Sequence, residues 1–436
     1  MNTPEQAPRS TAHADEEREA AVIGTLPGRI PRRVHATLHQ PVKKGSVRKD
    51  IEALCAIENR VAGSLGEARA VKYAIDRLRA SGISPVTERF RFPATFSRTL
   101  VLHAVLGLAA SMLAYWLPFV GLLLAVLVTV SFWAEYTGRA LILKRLLPTV
   151  ESENVIGVIP PREAVKSRVV LTAHLDAAFT GLLFHPRFAR LYAANEKFSV
   201  PVFLAPFLAL AATITVALIR TFRGGGPVLD GIQIFMTLVI IIYVLIPLEW
   251  FLRGKPVQGA ADDAAGVAII LSLAEWLRAA PLRNTEVTVL FTGCEESHLG
   301  GMWAYTERHL ADFDRENSYF IALDTIGAGR LCFGTQEGLL FPIPYGYRLR
   351  SLAYRVASKD KRFAEMRPGP LKAHTDVHLT ARRGYQSLAL IGLGDDDMPP
   401  FYHWPDDTPE NIDDRITDLA RRFTLALLAE IDAGNV

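Results

Sequence analysis

Apolar positions along this chain fall into two regimes. In the first, the apolar text runs on without a charge. Thr99 to Ala134 reads TLVLHAVLGLAASMLAYWLPFVGLLLAVLVTVSFWA, with no Asp, Glu, Lys or Arg. One straight helix over this run would overshoot a ~30 Å hydrocarbon core. The WLP at Trp116–Pro118 offers a turn, so the pattern predicts two short spans in a tight hairpin. Ser199–Ile219 and Gly231–Leu248 are likewise charge-free. Between them lies RTFRGGGPVLD, whose glycines and proline predict a second hairpin turn. Four such runs in two pairs fit membrane spans better than helices of a large soluble core.

In the second regime, short apolar runs end in glycine or polar residues and alternate with helical spacing. NVIGVI, SRVVLTAHLD, EVTVLFTG, SYFIALDTIG and QSLALIGLG read as strands. EARAVKYAIDRLRASG and DDAAGVAIILSLAEWLRAAP read as helices, the first stopped at Gly82 and the second at Pro281. Strands alternating with helices predict an α/β domain with a largely parallel central sheet flanked by helices, interrupted by two inserted transmembrane hairpins. The expected divisions are a disordered basic tail over 1–46, α/β domain over 47–98, hairpin over 99–147, α/β domain over 148–198, hairpin over 199–253 and α/β domain over 254–436.

Composition adds little beyond this. The chain has 436 residues, 50% hydrophobic, with a formal charge of only +3, so net charge gives no argument for nucleic acid. The N-terminal text is polar and lacks the apolar core of a signal peptide. Lys and Arg gather at the outer ends of the hairpins (Arg89, Arg91, Arg98, Arg139, Lys144, Arg145, Arg253 and Lys255 among them), against Arg220 and Arg223 at the tips. That asymmetry predicts an integral, multi-pass membrane protein with the α/β domain on the cytoplasmic side. Three cysteines lie far apart without CxxC spacing. Cys294, beside two acids, is expected to be buried and inert given its apolar flank.

The candidate chemistry collects at strand ends, where ligands sit in open α/β sheets. His174 closes VVLTAHLD, Asp262 opens the helix in GADDAAGVA, Glu296 follows VTVLFTG, Asp324 closes YFIALD and His403 lies in FYHWPDDTPENID. Two imidazoles and three carboxylates suit a pair of divalent cations, zinc first. Such a pair can hold a water, lower its pKa and polarise a carbonyl. Glu295, beside Glu296 but pointing the other way on an extended segment, is placed as general base and then acid. Asp176 is placed to accept the imidazole N–H of His174.

This ordered set resembles the dinuclear-zinc aminopeptidases of peptidase family M28, whose members include bacterial leucine aminopeptidases and glutamate carboxypeptidases. VVLTAHLDA is similar to the first zinc-ligand strand and GADDAAGVA to the bridging-aspartate turn. TGCEESHLGGMWAY is similar to the base-and-ligand motif, ALDTIG to the next ligand strand and YHWPDDTPENID to the final histidine loop. The resemblance implies that His174, Asp262 and Asp324 bind one zinc, that Asp262, Glu296 and His403 bind a second, and that Glu295 is the general base. It also implies a peptide substrate. The chain departs from the family in two places. The second hairpin separates His174 from Asp262, and Val377 stands where a late Ser-Asp-His turn would have its histidine, with Asp376 matching and His374 and His378 nearby. The rival readings are a glutaminyl-cyclase-like acyltransferase using one zinc and a membrane scaffold that keeps a peptidase-like domain without catalysis.

Overall fold

The computed structural model describes residues 46–188, 196–338 and 340–436. The tail expected over 1–46 lies outside these residues up to position 45, as does 189–195 of the segment leading into the second helix pair.

Four strands with continuous apolar text form the centre of the sheet: β3 (Ser167–His174), β4 (Thr285–Thr292), β5 (Ser318–Leu323) and β9 (Gln386–Leu393). Flanked on both faces, they are buried almost throughout, which is why alternation is absent from their sequences. They pair in parallel in the order β4-β3-β5-β9. The rest of the sheet departs from the expected largely parallel pattern. β1 (Val86–Pro93) and β2 (Thr149–Ile159) add antiparallel beyond β4. β6 (Arg330–Glu337) pairs antiparallel with β9 and with β7 (Ile343–Pro344), and parallel with β8 (Arg367–Leu371). The sheet is mixed because its flanks are half-exposed. Only the solvated side of β1 can carry VTERFRFP, and two prolines confine RPGPL to an edge.

Helices cover the sheet. α1 (Ser46–Cys55), α2 (Leu65–Ala80), α7 (Ala265–Ala279) and α11 (Asp414–Asp432) bury apolar faces in the main core, as do α8 (Gly300–His309), α9 (Tyr347–Lys359) and α10 (His378–Arg382). The start of α2 also serves the site. Ser64 caps it, its hydroxyl accepting from the Glu67 amide at 3.1 Å. Glu67 in turn accepts from the Gly63 amide at 2.7 Å and the Cys294 amide at 3.0 Å, fixing the turn just before Glu295.

The four charge-free runs form α3 (Phe96–Trp116), α4 (Pro118–Tyr136), α5 (Glu196–Arg223) and α6 (Pro227–Arg253). All four are long and apolar enough to cross a membrane. They pack side by side around Val128, Leu210 and Ile240. Polar side chains meet inside the group: His103 lies between the Thr99 carbonyl and the Ser131 hydroxyl, and Gln233 donates to the Ser111 carbonyl. The outward faces stay apolar and uncovered, with Leu123, Phe235 and Leu245 more than half exposed. α5 and α6 leave and re-enter the α/β domain through a narrow neck. There the Thr180 amide donates to the Lys255 carbonyl and the Val257 amide to the Ala178 carbonyl. A long excursion of chain therefore leaves the strand end carrying His174 and the turn carrying Asp262 side by side.

Candidate functional site

Arg60 closes the neck from below. It is 1% exposed, and its guanidinium donates to the carbonyls of Leu175 at 2.7 Å, Gln258 at 2.8 Å and Gly259 at 2.9 Å. The end of β3 is thereby tied to the turn that carries Asp262. Asp407 holds the same turn from the far side, its carboxylate accepting from the amides of Ala261 at 2.7 Å and Asp262 at 3.2 Å. Asp263 faces away from the site, accepting from the amides of His174 and Gly266. This division leaves Asp262 free to point inward. The Asp262–Asp263 peptide is cis.

The five residues expected as ligands converge. Asp262 Oδ1 lies 3.0 Å from His174 Nε2, and its Oδ2 lies 3.3 Å from His403 Nε2. His403 Nε2 is also 3.1 Å from Glu296 Oε2. One donor atom from each of His174, Asp262 and Asp324 falls within 4.8 Å of the others, and so do those of Asp262, Glu296 and His403. Glu295 stands across from His174, with Oε2 3.9 Å from Nε2, and forms a third such group with His174 and Glu296.

Asp176 acts differently from the expectation. Its backbone carbonyl, rather than its carboxylate, is in hydrogen-bond reach of His174 Nδ1 at 3.0 Å, while the nearest carboxylate oxygen is 3.7 Å away. The carboxylate instead accepts from the amides of Glu295 at 3.0 Å and Glu296 at 3.1 Å, clamping the one-turn helix that presents both acids.

Electrostatics in the pocket are dominated by burial. Burial alone would depress the His174 imidazole, but the carboxylates of Asp176, Asp262, Glu295 and Asp263 outweigh it and hold the pKa well above the ordinary value. Burial likewise opposes protonated His403, yet Glu296 and Asp262 lift it to about 10. Burial raises Asp324 to about 7 and pushes Glu295 well above the usual carboxylate range, with Glu296 and Asp324 adding repulsion. Asp262 alone is held below its usual value, because the two imidazoles overcome its burial. Excess buried carboxylate of this kind is what a divalent cation neutralises. Asp262 Oδ2 and Glu296 Oε1 are buried with no hydrogen-bond donor, so both have lone pairs to give. Nitrogen and oxygen donors with no thiolate among them fit a borderline or hard divalent ion. Cys294 is buried, and burial pushes its thiol well above the ordinary value, as an inert cysteine requires.

The segment before α5 roofs one side of the site: the Phe184 ring meets the His403 ring edge-on at 4.5 Å. Tyr402 stacks on His403 from another side at 3.9 Å.

His374 and His378 lie off this cluster. His298 Nε2 is 3.0 Å from His374 Nδ1, and the His374 and His378 rings are 4.2 Å apart. Phe96 stacks on His298 and Tyr136 meets His374 edge-on, so these imidazoles seam the α/β domain to the feet of α3 and α4. Asp376 is buried and accepts from the hydroxyls of Thr172 at 2.6 Å and Thr292 at 2.7 Å, pinning β3 to β4 just before their functional ends. His378 is fully buried, and burial pushes it from 6.5 down to about 4. The fold therefore prefers the neutral ring. Its contribution is complete above pH 6.5 and is lost as pH falls from 6.5 through 4, because there the unfolded chain binds the extra proton. The loss is about 3 kcal/mol at ~1.4 kcal/mol per pKa unit. The His378→Gln protein is expected to show a flatter acid limb in pH-dependent unfolding than the parent, and identical limbs would assign the acid sensitivity elsewhere.

Lys144 links the helices to the site loop. It is fully buried, its Nζ lies 2.9 Å from Glu135 at the foot of α4, and it donates to the Ser297 carbonyl. In the sequence it is one of the basic residues at the outer ends of the hairpins, and nothing there signals its burial. Arg60, Glu67 and Asp407 had no part in the sequence reading either, since each acts on backbone groups far away along the chain.

The model of Peptidase family M28 matches residues 246–428, which include Asp262, Glu295, Glu296, Asp324 and His403. No curated protein matches the chain by sequence. Among solved structures, a glutaminyl cyclase of Bacteroides thetaiotaomicron aligns at 13% identity and TM-score 0.52, covering 89% of this chain and 98% of that one. A zinc aminopeptidase from Bacillus subtilis aligns at 14% identity and TM-score 0.52, covering 89% and 95%. A Zn-dependent exopeptidase from Parabacteroides distasonis aligns at 13% identity and TM-score 0.51, covering 90% and 98%. At these identities the shared property is the fold.

Proposed function

We propose, from the match of residues 246–428 to peptidase family M28 and from the site geometry, that this chain is a membrane-anchored zinc metallopeptidase that removes N-terminal residues from peptides. The observation that carries the reading is the placement of Asp262, with one carboxylate oxygen toward His174 and the other toward His403. A carboxylate facing two imidazoles from its two oxygens suits two cations, with His174, Asp262 and Asp324 around one and Asp262, Glu296 and His403 around the other. Zinc bound there supplies a Lewis acid that polarises the scissile carbonyl and makes a water acidic.

The remaining work belongs to side chains. Glu295 takes a proton from the attacking water and returns it to the leaving amine. Asp176 keeps Glu295 in place through the backbone amides it holds, and its carbonyl fixes the tautomer of His174. The carboxylate-rich pocket favours a free, positively charged α-amine on the substrate. Phe184 and Tyr402 limit water on the His403 side. α3, α4, α5 and α6 anchor the enzyme in the bilayer, and the cationic outer ends of the helix pairs support a site on the cytoplasmic side.

The discriminating experiment measures metal content and products together on the detergent-purified protein. Two zinc ions per chain with release of N-terminal residues from a peptide panel is the expected outcome. One zinc per chain, with cyclisation of N-terminal glutamine and no hydrolysis, would overturn the reading in favour of an acyltransferase.

A further inference from the structure

A cavity of about 370 Å³ lies beside the feet of α3 and α4, outside the site just described. Its walls are mainly apolar, from Phe90, Phe92, Pro93, Leu141 and Trp303. Arg91 and Arg145 are also among the residues that line it. Both residues are exposed, and neither has an ion-pair partner among the described residues. Arg308, also lining it, is engaged with Glu88, and Lys144 with Glu135. Glu307 is the single carboxylate in the lining, so the two free cations outnumber it.

Position decides what such a cavity can take. Pro93 lies three residues before α3 begins at Phe96, and Leu141 lies five after α4 ends at Tyr136. The segment carrying Arg145 also presents Ile142 at 37% and Leu146 at 74% exposure. Leucine and isoleucine exposed beside an unpaired arginine are costly in water and at home where hydrocarbon meets headgroups. An apolar cleft with unpaired cations at the feet of two long apolar helices is complementary to a molecule with an acyl body and an anionic head.

We propose that this cavity binds an anionic phospholipid, with an acyl segment against its apolar walls and along α3 and α4 and the phosphate at Arg91 and Arg145. The inference rests on the membrane anchoring proposed above. The site also has a route to the peptidase centre. Gly300, at the start of α8, and Lys144 both line the cavity, and Lys144 holds the Ser297 carbonyl next to Glu296.

The test uses the full chain purified in detergent from membranes containing phosphatidylglycerol and phosphatidylcholine, with bound lipid counted by mass spectrometry. The parent protein is expected to retain phosphatidylglycerol in preference to phosphatidylcholine. The Arg91→Ala/Arg145→Ala double variant is expected to lose that preference by on the order of tenfold, and the double Arg→Lys variant to keep most of it. Equal retention of both lipids by the parent, or an unchanged preference in the Ala variant, would overturn the site. Displacement of the lipid by millimolar inorganic phosphate would overturn it in favour of a soluble phosphate ligand. Flotation with vesicles separates the two readings. Failure of the parent to float sinks the anchoring and the lipid site together, whereas flotation without headgroup preference sinks the lipid site alone.

Discussion

Replacing Glu295 by glutamine is expected to lower the turnover of aminoacyl substrates by ~10²–10⁴ while leaving metal content and thermal unfolding unchanged. The substitution keeps side-chain volume and removes only the ability to carry a proton. The backbone amide of residue 295 would still donate to Asp176, and the neighbouring Glu296 would stay at 3.1 Å from His403, so the donor groups should be undisturbed. The loss should appear in kcat rather than KM, because the proton moves only as the reaction proceeds. Hydrolysis surviving within about tenfold of the parent would remove Glu295 from the proton path.

The Asp262→Asn protein is expected to lose more than catalysis. Asp262 faces an imidazole from each carboxylate oxygen, at 3.0 and 3.3 Å. An amide offers a single oxygen and no charge, so one imidazole would face an N–H₂ group. Zinc affinity should fall by more than the ~10–100-fold that follows loss of a mere supporting partner, and hydrolysis should fall with it. Chelation gives an independent readout. Metal at 100 times its Kd stabilises a fold by about 2.7 kcal/mol, so a chelator should lower the melting temperature of the parent. It should leave the Asp262→Asn melting temperature where it was. An equal chelator shift in both proteins would show that the metal is held elsewhere.

The parts of this molecule legible in its sequence are those whose physics is local. β3, β4, β5 and β9 are buried on both faces, so they are written as unbroken apolar runs, and their ends mark where ligands gather. The four long helices are legible because their outward and inward sides are apolar alike. β1, β6 and β8 gave no comparable signal. β1 and β8 lie at half-exposed flanks, where VTERFRFP or RPGPL can be a strand only because a neighbour is there to pair with. That is why a sheet expected to be largely parallel is mixed. The side chains that cluster as candidate metal donors are legible by type and order. The groups that hold them are not. Arg60 acts on carbonyls 115 and 199 positions away, and Glu67 on an amide 227 positions away, distances at which spacing carries no information. Asp176 was picked out by its spacing from His174, but only the backbone of the folded loop directs its carboxylate to two amides.

The ion pair of Glu135 and Lys144 has a bearing on how this architecture can be taken apart. One partner closes a lipid-type helix, and the other lies against Phe92 and Phe96 while gripping the loop after Glu296. A water-soluble version made by trimming away the first helix pair would strand an ammonium group in a dry pocket, a penalty of about 3–5 kcal/mol. It would also unseat the carbonyl that the ammonium group restrains. The helix group is thus no detachable tether: part of the scaffolding of the candidate metal site is borrowed from the long apolar helices.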